Sequence, residues 1–211
     1  MTTREHHLLL RALLRDKTYV RPGTLARLPT AQAQGLRSPL DLGRQLLAPL
    51  GRCPLSLLQF WARHPRGYVA INPQRHEYRP GRQPVGRRQL DGVAWVSARS
   101  LLADPRLAEP VVHLLDHLLG SDGEPGSPRL SDGAGRSAAW TEVAGRLLRQ
   151  FRLGYAPDGV ADDPARYFAW GVRGYLAGRQ DLNTADPGLE RLLHTTLFDA
   201  GFWERAGAAA P

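Results

Sequence analysis

Apolar positions recur at helical spacing along most of the chain and at strand spacing in two short stretches. Over residues 3–15, Leu9, Leu10, Leu13 and Leu14 fall on one side and Arg4, Arg11 and Arg15 on the other, the pattern of an amphipathic helix. Ser38-Pro39-Leu40-Asp41 offers an N-cap, a first-turn proline and an early acid for a helix running to about Ala48. Leu57, Leu58, Phe60 and Trp61 mark a further helix from Leu55 to Arg63, ended by Pro65-Arg66-Gly67. Residues 68–72 and 92–97, rich in Val, Ile, Tyr and Trp, read as strands. Between them, Pro73, Pro80, Gly81, Pro84 and Gly86 predict a loop from Asn72 to Arg88, because proline cannot donate to a ladder.

Helical spacing returns after Pro105. Pro110 is tolerated only in a first turn, so a central helix begins at Glu109 or Pro110 and runs over 110–119. Val111, Val112, Leu114, Leu115, Leu118 and Leu119 cover most of its circumference, leaving His113, Asp116 and His117 as one polar stripe. Residues 120–136 have the Gly, Ser, Pro and Asp content of a flexible connection or a lid. Three helices follow: Ser137 to Phe151 with Trp140, Val143 and Leu147 inward, one opened by Pro164, and one capped by Asp186-Pro187. These elements predict an α+β, mostly helical protein with a small mixed sheet packed on the central helix and the C-terminal helices. Residues 1–65 form a helical region packed on a main domain of 66–205, and 206–211 form a frayed tail.

Composition narrows the partners. With 211 residues the chain can bury a proper core, and its formal charge of +8 comes almost wholly from arginine, Lys17 being the sole lysine. The proline-rich stretch carries Arg75, Arg79, Arg82, Arg87 and Arg88, the candidate basic surface for nucleic acid, although no nucleic-acid motif accompanies it. One cysteine, Cys53, excludes an internal disulfide and a multi-cysteine zinc site. No secretory leader and no run of ~18 apolar residues is visible, so the expected location is cytoplasmic with no membrane partner.

His113 and His117, at i and i+4, have the spacing that lets two imidazoles reach one zinc ion. A hydrolytic zinc helix also needs a carboxylate base directly after the first histidine, and here that residue is Leu114. The alternative is that the stripe hydrogen-bonds neighbouring loops or faces a wet cleft.

Two segments together carry a resemblance. The first is the strand 92–97 followed by a helix ending Leu114-Leu115-Asp116-His117-Leu118-Leu119-Gly120; the second runs from Tyr155 through Asp163-Pro164-Ala165-Arg166-Tyr167-Phe168-Ala169-Trp170 and Tyr175-Leu176 to Asp186-Pro187. Over about residues 90–200 they resemble the catalytic-domain family of anthrax lethal factor, bacterial metallopeptidases of zincin-like fold, with its His-Glu-x-x-His helix and Tyr…Pro-x-Glu-Phe-Phe-Ala-Glu…Asp-Pro pattern. The resemblance implies that fold with a degenerate site. Aligning the family's aspartate on Asp116 puts its second histidine on His113, but Glu109 and Pro110 stand where the first histidine and the catalytic glutamate belong. Arg166 and Trp170 stand where the family has its zinc-binding glutamate and the glutamate behind it, while Tyr155 matches its transition-state tyrosine. An arginine at a ligand position opposes a dication with a fixed positive charge. The resemblance thus implies a catalytically inactive metallopeptidase-like domain without a cofactor. It would act as a protein- or peptide-binding module through the cleft between the Val93 strand and the central helix. An alternative is an active zinc-dependent peptidase with His113, His117 and Asp162 or Asp163 as ligands and Tyr155 at the oxyanion. A second alternative is a nucleic-acid-binding module using the five arginines.

Overall fold

The computed structural model describes residues 3–206. In chain order these form α1 (Thr3–Ala12), β1 (Thr18–Val20), α2 (Thr30–Ala33), α3 (Pro39–Leu47), α4 (Leu55–Arg63), β2 (Tyr68–Asn72), β3 (Glu77–Val85), β4 (Arg88–Ser97), α5 (Ala98–Ala103), α6 (Glu109–Ser121), α7 (Ala138–Arg152), α8 (Pro164–Ala185), α9 (Pro187–Thr195) and α10 (Ala200–Arg205). The protein is α+β and mostly helical, with a single four-stranded mixed sheet among the described residues. Its strand order is β1-β2-β4-β3, with β1, β2 and β4 parallel and β3 antiparallel to β4.

The helix boundaries follow local chemistry. Ser38 and Asp41 form a reciprocal capping box at α3. Asp163 caps α8 by accepting from Ala165 N at 2.8 Å, and Asp186 caps α9 by accepting from Leu189 N at 2.8 Å. Asp186 is fully buried, and it also receives the Tyr167 hydroxyl at 2.6 Å and the Gln150 amide at 3.0 Å, so this one carboxylate joins α7, α8 and α9. Glu109 opens α6 with Pro110 in its first turn, as the proline requires.

Strand alternation divides the sheet into two faces. Val69, Ile71, Ala94 and Val96 point to the helices and share one core with Leu13, Leu42, Leu46, Trp61, Val111, Leu115, Trp140 and Phe168. The N-terminal region therefore contributes to the same core as α6, and through β1 to the same sheet. Ala70, Leu90, Val93 and Trp95 form a separate small cluster with Tyr19, Tyr68 and Val85, on the other face. No helical residue joins that cluster.

Residues 77–85 correct the expectation of a loop between Asn72 and Arg88. They form β3, an edge strand, paired with β4 from Glu77↔Trp95 to Val85↔Arg88. The prolines are tolerated because an edge strand pairs on one side only, and because the register shifts between Arg79 and Arg82, where Pro80 and Gly81 (φ 73°) lie. β1 and α10 are further elements that apolar periodicity did not mark. Of the expected C-terminal tail, residues 207–211 lie outside the described residues. No helix of the described residues is long and apolar enough to cross a membrane.

Candidate functional site

The polar stripe of α6 turns toward protein on every side. Asp116 is fully buried and accepts two hydrogen bonds from Ser131, from its backbone N at 2.9 Å and its hydroxyl at 2.6 Å. Burial pushes its carboxyl up to about 6, against the lowering effect of the Ser131 bonds. His117 is 2% exposed, and both of its ring nitrogens are engaged. Nδ1 accepts from the Tyr78 hydroxyl at 2.8 Å and Nε2 donates to Ser127 O at 3.1 Å, the arrangement of a neutral imidazole. Burial accordingly lowers the pKa of His117.

The segment after α6 is fastened to the helix by these residues. Leu130 N donates to Asp116 O at 3.1 Å and Arg136 N to Leu119 O at 2.9 Å. The backbone of Arg129 and Leu130 passes so close to Gly120 that a Cβ there would lie 2.4 Å from Arg129 C and Leu130 N. Asp122, at positive φ (54°), ends the helix, and its carboxylate meets Arg136 at 3.0 Å. Compositional flexibility is thus overridden by tertiary bonds along this stretch.

His113 lies apart from His117 in its bonding. Its Nε2 donates to Glu109 Oε1 at 3.3 Å, and its Nδ1 is buried with no donor. Glu109 also lies 3.9 Å from Arg173 on α8, whose guanidinium bonds Asp104 at 2.6 Å and Leu107 O at 2.9 Å. The hydrogen bond from His113, helped by Arg173 and opposed by burial, holds the Glu109 carboxyl below its usual range. Arg173 is thus a cation that meets the first turn of α6. Arg166 is exposed and leans on Asp163 at 3.7 Å, Trp170 stacks on Tyr167 at 6.0 Å, and Tyr155 is exposed in the loop before α8. Pro110 is buried in the first turn of α6. Among the described residues no group of three or more His, Cys, Asp or Glu side chains is placed to hold a metal ion.

On the inner face of the sheet, Ala94 and Val96 of β4 belong to the same buried core as Val111, Leu114 and Leu115 of α6. A large concavity lies across the sheet. It has a volume of about 580 Å³, within the range of ligand sites, and is bounded by Tyr19 and Arg21 from β1 and beyond, Arg27, the Asn72–Arg75 turn, Val85 and Trp95. Asn72 shapes its floor, with Oδ1 accepting from Gln74 N at 3.0 Å and Arg75 N at 2.6 Å, and Nδ2 donating to Val96 O at 3.2 Å.

The electrostatics of this concavity are one-sided. Its lining includes Arg21, Arg27 and Arg75 and no aspartate or glutamate. Arg75 stacks over the Trp95 ring at 4.7 Å and Arg88 over Tyr19 at 5.4 Å, so cations and aromatic faces are interleaved. Trp95 is 5% exposed, and its indole N–H is buried without an acceptor, a deficit that ordinarily costs about 1–3 kcal/mol. Of the five arginines expected to form a basic surface, Arg75 and Arg79 both approach Glu77, at 3.3 and 3.0 Å, and Arg82 lies 4.0 Å from Asp91. Only Arg75 lines the concavity itself.

Sequence reasoning missed Tyr19, Arg21 and Arg27 here. They come from the segment around β1, more than 40 positions from Asn72 and Trp95, and no local motif links them. A Thr-Tyr-Val triplet beside a basic turn was the one available signal. Comparison with protein-family models, with curated proteins and with solved structures finds no match to this chain.

Proposed function

We propose that the chain is a metallopeptidase-like domain of the lethal factor-like zincin kind it resembles, without catalytic activity of its own, and that it binds a protein or peptide on the outer face of its sheet. What carries this reading is the contrast in bonding between two sets of polar groups. In the stripe that would serve a hydrolase, Asp116 and His117 hold the following segment to α6 through Ser131 and Ser127, and His117 spends its other ring nitrogen on Tyr78 of β3. The outer concavity instead combines Arg21 and Arg27, which have no acidic partner among the described residues, with Arg75, aromatic faces and an indole donor with no acceptor. Aromatic and arginine side chains are the residues from which binding hot spots are most often built.

Protein purified without chelators, together with its His113→Ala/His117→Ala variant, tests the loss of catalysis. Elemental analysis should find no stoichiometric zinc in either, and neither should cleave an unstructured protein substrate. A stoichiometric zinc that disappears in the variant, accompanied by hydrolysis in the parent, would replace the binding role with that of a zinc peptidase.

A further inference from the structure

The outer concavity has a chemical preference that follows from its donors. Arg21 and Arg27 have no acidic partner among the described residues, and Arg75 shares its one acid, Glu77, with Arg79. Trp95 also lines the concavity, and its indole N–H, a group that can only donate, is buried with no acceptor. Every unmet polar need named here is for an acceptor, and the charge calls for an anionic one. Guanidinium groups match carboxylates in a planar two-bond geometry, and the aromatic faces of Tyr19 and Trp95 can cover the apolar stem of an acidic side chain.

Resting on the binding role proposed above, we infer that the partner presents an acidic segment, and that one of its carboxylates enters the concavity beside Arg75, where that guanidinium covers the Trp95 ring, while its neighbours meet Arg21 and Arg27. The occupant is a stretch of protein chain rich in Asp or Glu. A neutral chain would leave the arginines desolvated without compensation, and a basic one would be repelled.

The test uses fluorescence anisotropy with a labelled peptide alternating Glu and Ser, its Gln-for-Glu counterpart, and a single-stranded oligonucleotide as competitor. The Glu peptide should bind at least about tenfold tighter than the Gln peptide, and that advantage should shrink as salt is raised. Arg21→Gln/Arg27→Gln should bring the two peptides to nearly equal affinity with the circular dichroism spectrum unchanged. Trp95→Phe should weaken the Glu peptide about fivefold and leave the Gln peptide unaffected. Equal binding of both peptides by the parent would overturn the acidic preference and leave the peptide-binding role standing. Binding of neither would overturn both. Displacement of the Glu peptide by the oligonucleotide at equal or lower concentration would overturn the inference in favour of a general polyanion surface.

Discussion

Beneath the inner face of the sheet, Trp61 donates its indole N–H to Gly67 O at 2.9 Å and Trp203 donates to Leu197 O at 2.9 Å, whereas Trp95 on the outer face is buried almost as deeply and donates to nothing. The same division holds for the charged groups. Inside, Asp116 and Asp186 each receive two or more hydrogen bonds. Outside, Arg21 and Arg27 face an open concavity. Most polar groups that the fold encloses are met within it, with His113 Nδ1 and Ser121 Oγ on α6 as exceptions, because an enclosed group left alone costs free energy. On the reading proposed above, the outer face is the site rather than the scaffold because its unmet donor stands with arginines that have no acidic partner among the described residues.

Substitutions can sharpen the comparison. Gly120→Ala should be the most damaging, because its Cβ would meet backbone of Arg129 and Leu130 at 2.4 Å; a loss of about 3 kcal/mol or more in denaturant unfolding is expected. A matched pair of indole substitutions should come next. Trp61→Phe should cost about 2–3 kcal/mol, since it opens a gap and strips Gly67 O of its donor. Trp95→Phe should cost less than about 1 kcal/mol, since it removes a donor that had no acceptor. Equal costs would erase the proposed difference between the faces.

The buried Asp116 gives a pH signature. Its carboxyl titrates near 6 in the fold against an ordinary value of 3.8, so between these limits the folded state binds more protons than the unfolded one. Its contribution to stability is therefore greatest at low pH and declines as pH rises from about 4 to about 6. His117, whose pKa is lowered by burial, acts in the opposite sense below its ordinary value of 6.5. The parent-minus-Asp116→Asn difference isolates the carboxylate, and should shift by about 2 kcal/mol across that window. A flat difference would mean that Asp116 is solvated as an ordinary surface acid. The smallest effect belongs to Arg21→Gln/Arg27→Gln, within about 0.5 kcal/mol of the parent in thermal or denaturant unfolding, because these exposed side chains have no ion-pair partner among the described residues to lose.

Much of the scaffold was legible because its signals are local. Proline, aspartate and serine at helix starts located α3, α6, α8 and α9 closely, and short apolar runs rich in Val, Ile, Tyr and Trp marked β2 and the 92–97 part of β4. β3 was hidden because a rule that holds for central strands was applied to an edge strand with a register shift. β1 spans three residues, too few for any period to show. The stripe on α6 was visible as polar, but whether it served a ligand or the fold depended on Tyr78, Ser127 and Ser131, which reach it only through tertiary structure. The outer concavity is assembled from four separate stretches of chain, and its defining property, a donor without an acceptor, exists only after folding.

The most direct measurement is to follow the tryptophan indole N–H resonances by heteronuclear NMR during titration with the acidic peptide. The Trp95 resonance should move strongly downfield on gaining an acceptor, while those of Trp61 and Trp203, already bonded to backbone carbonyls, stay in place. A titration that left Trp95 unmoved and shifted the rings of His113 and His117 instead would place recognition on α6 and contradict the assignment of the outer sheet face as the binding surface.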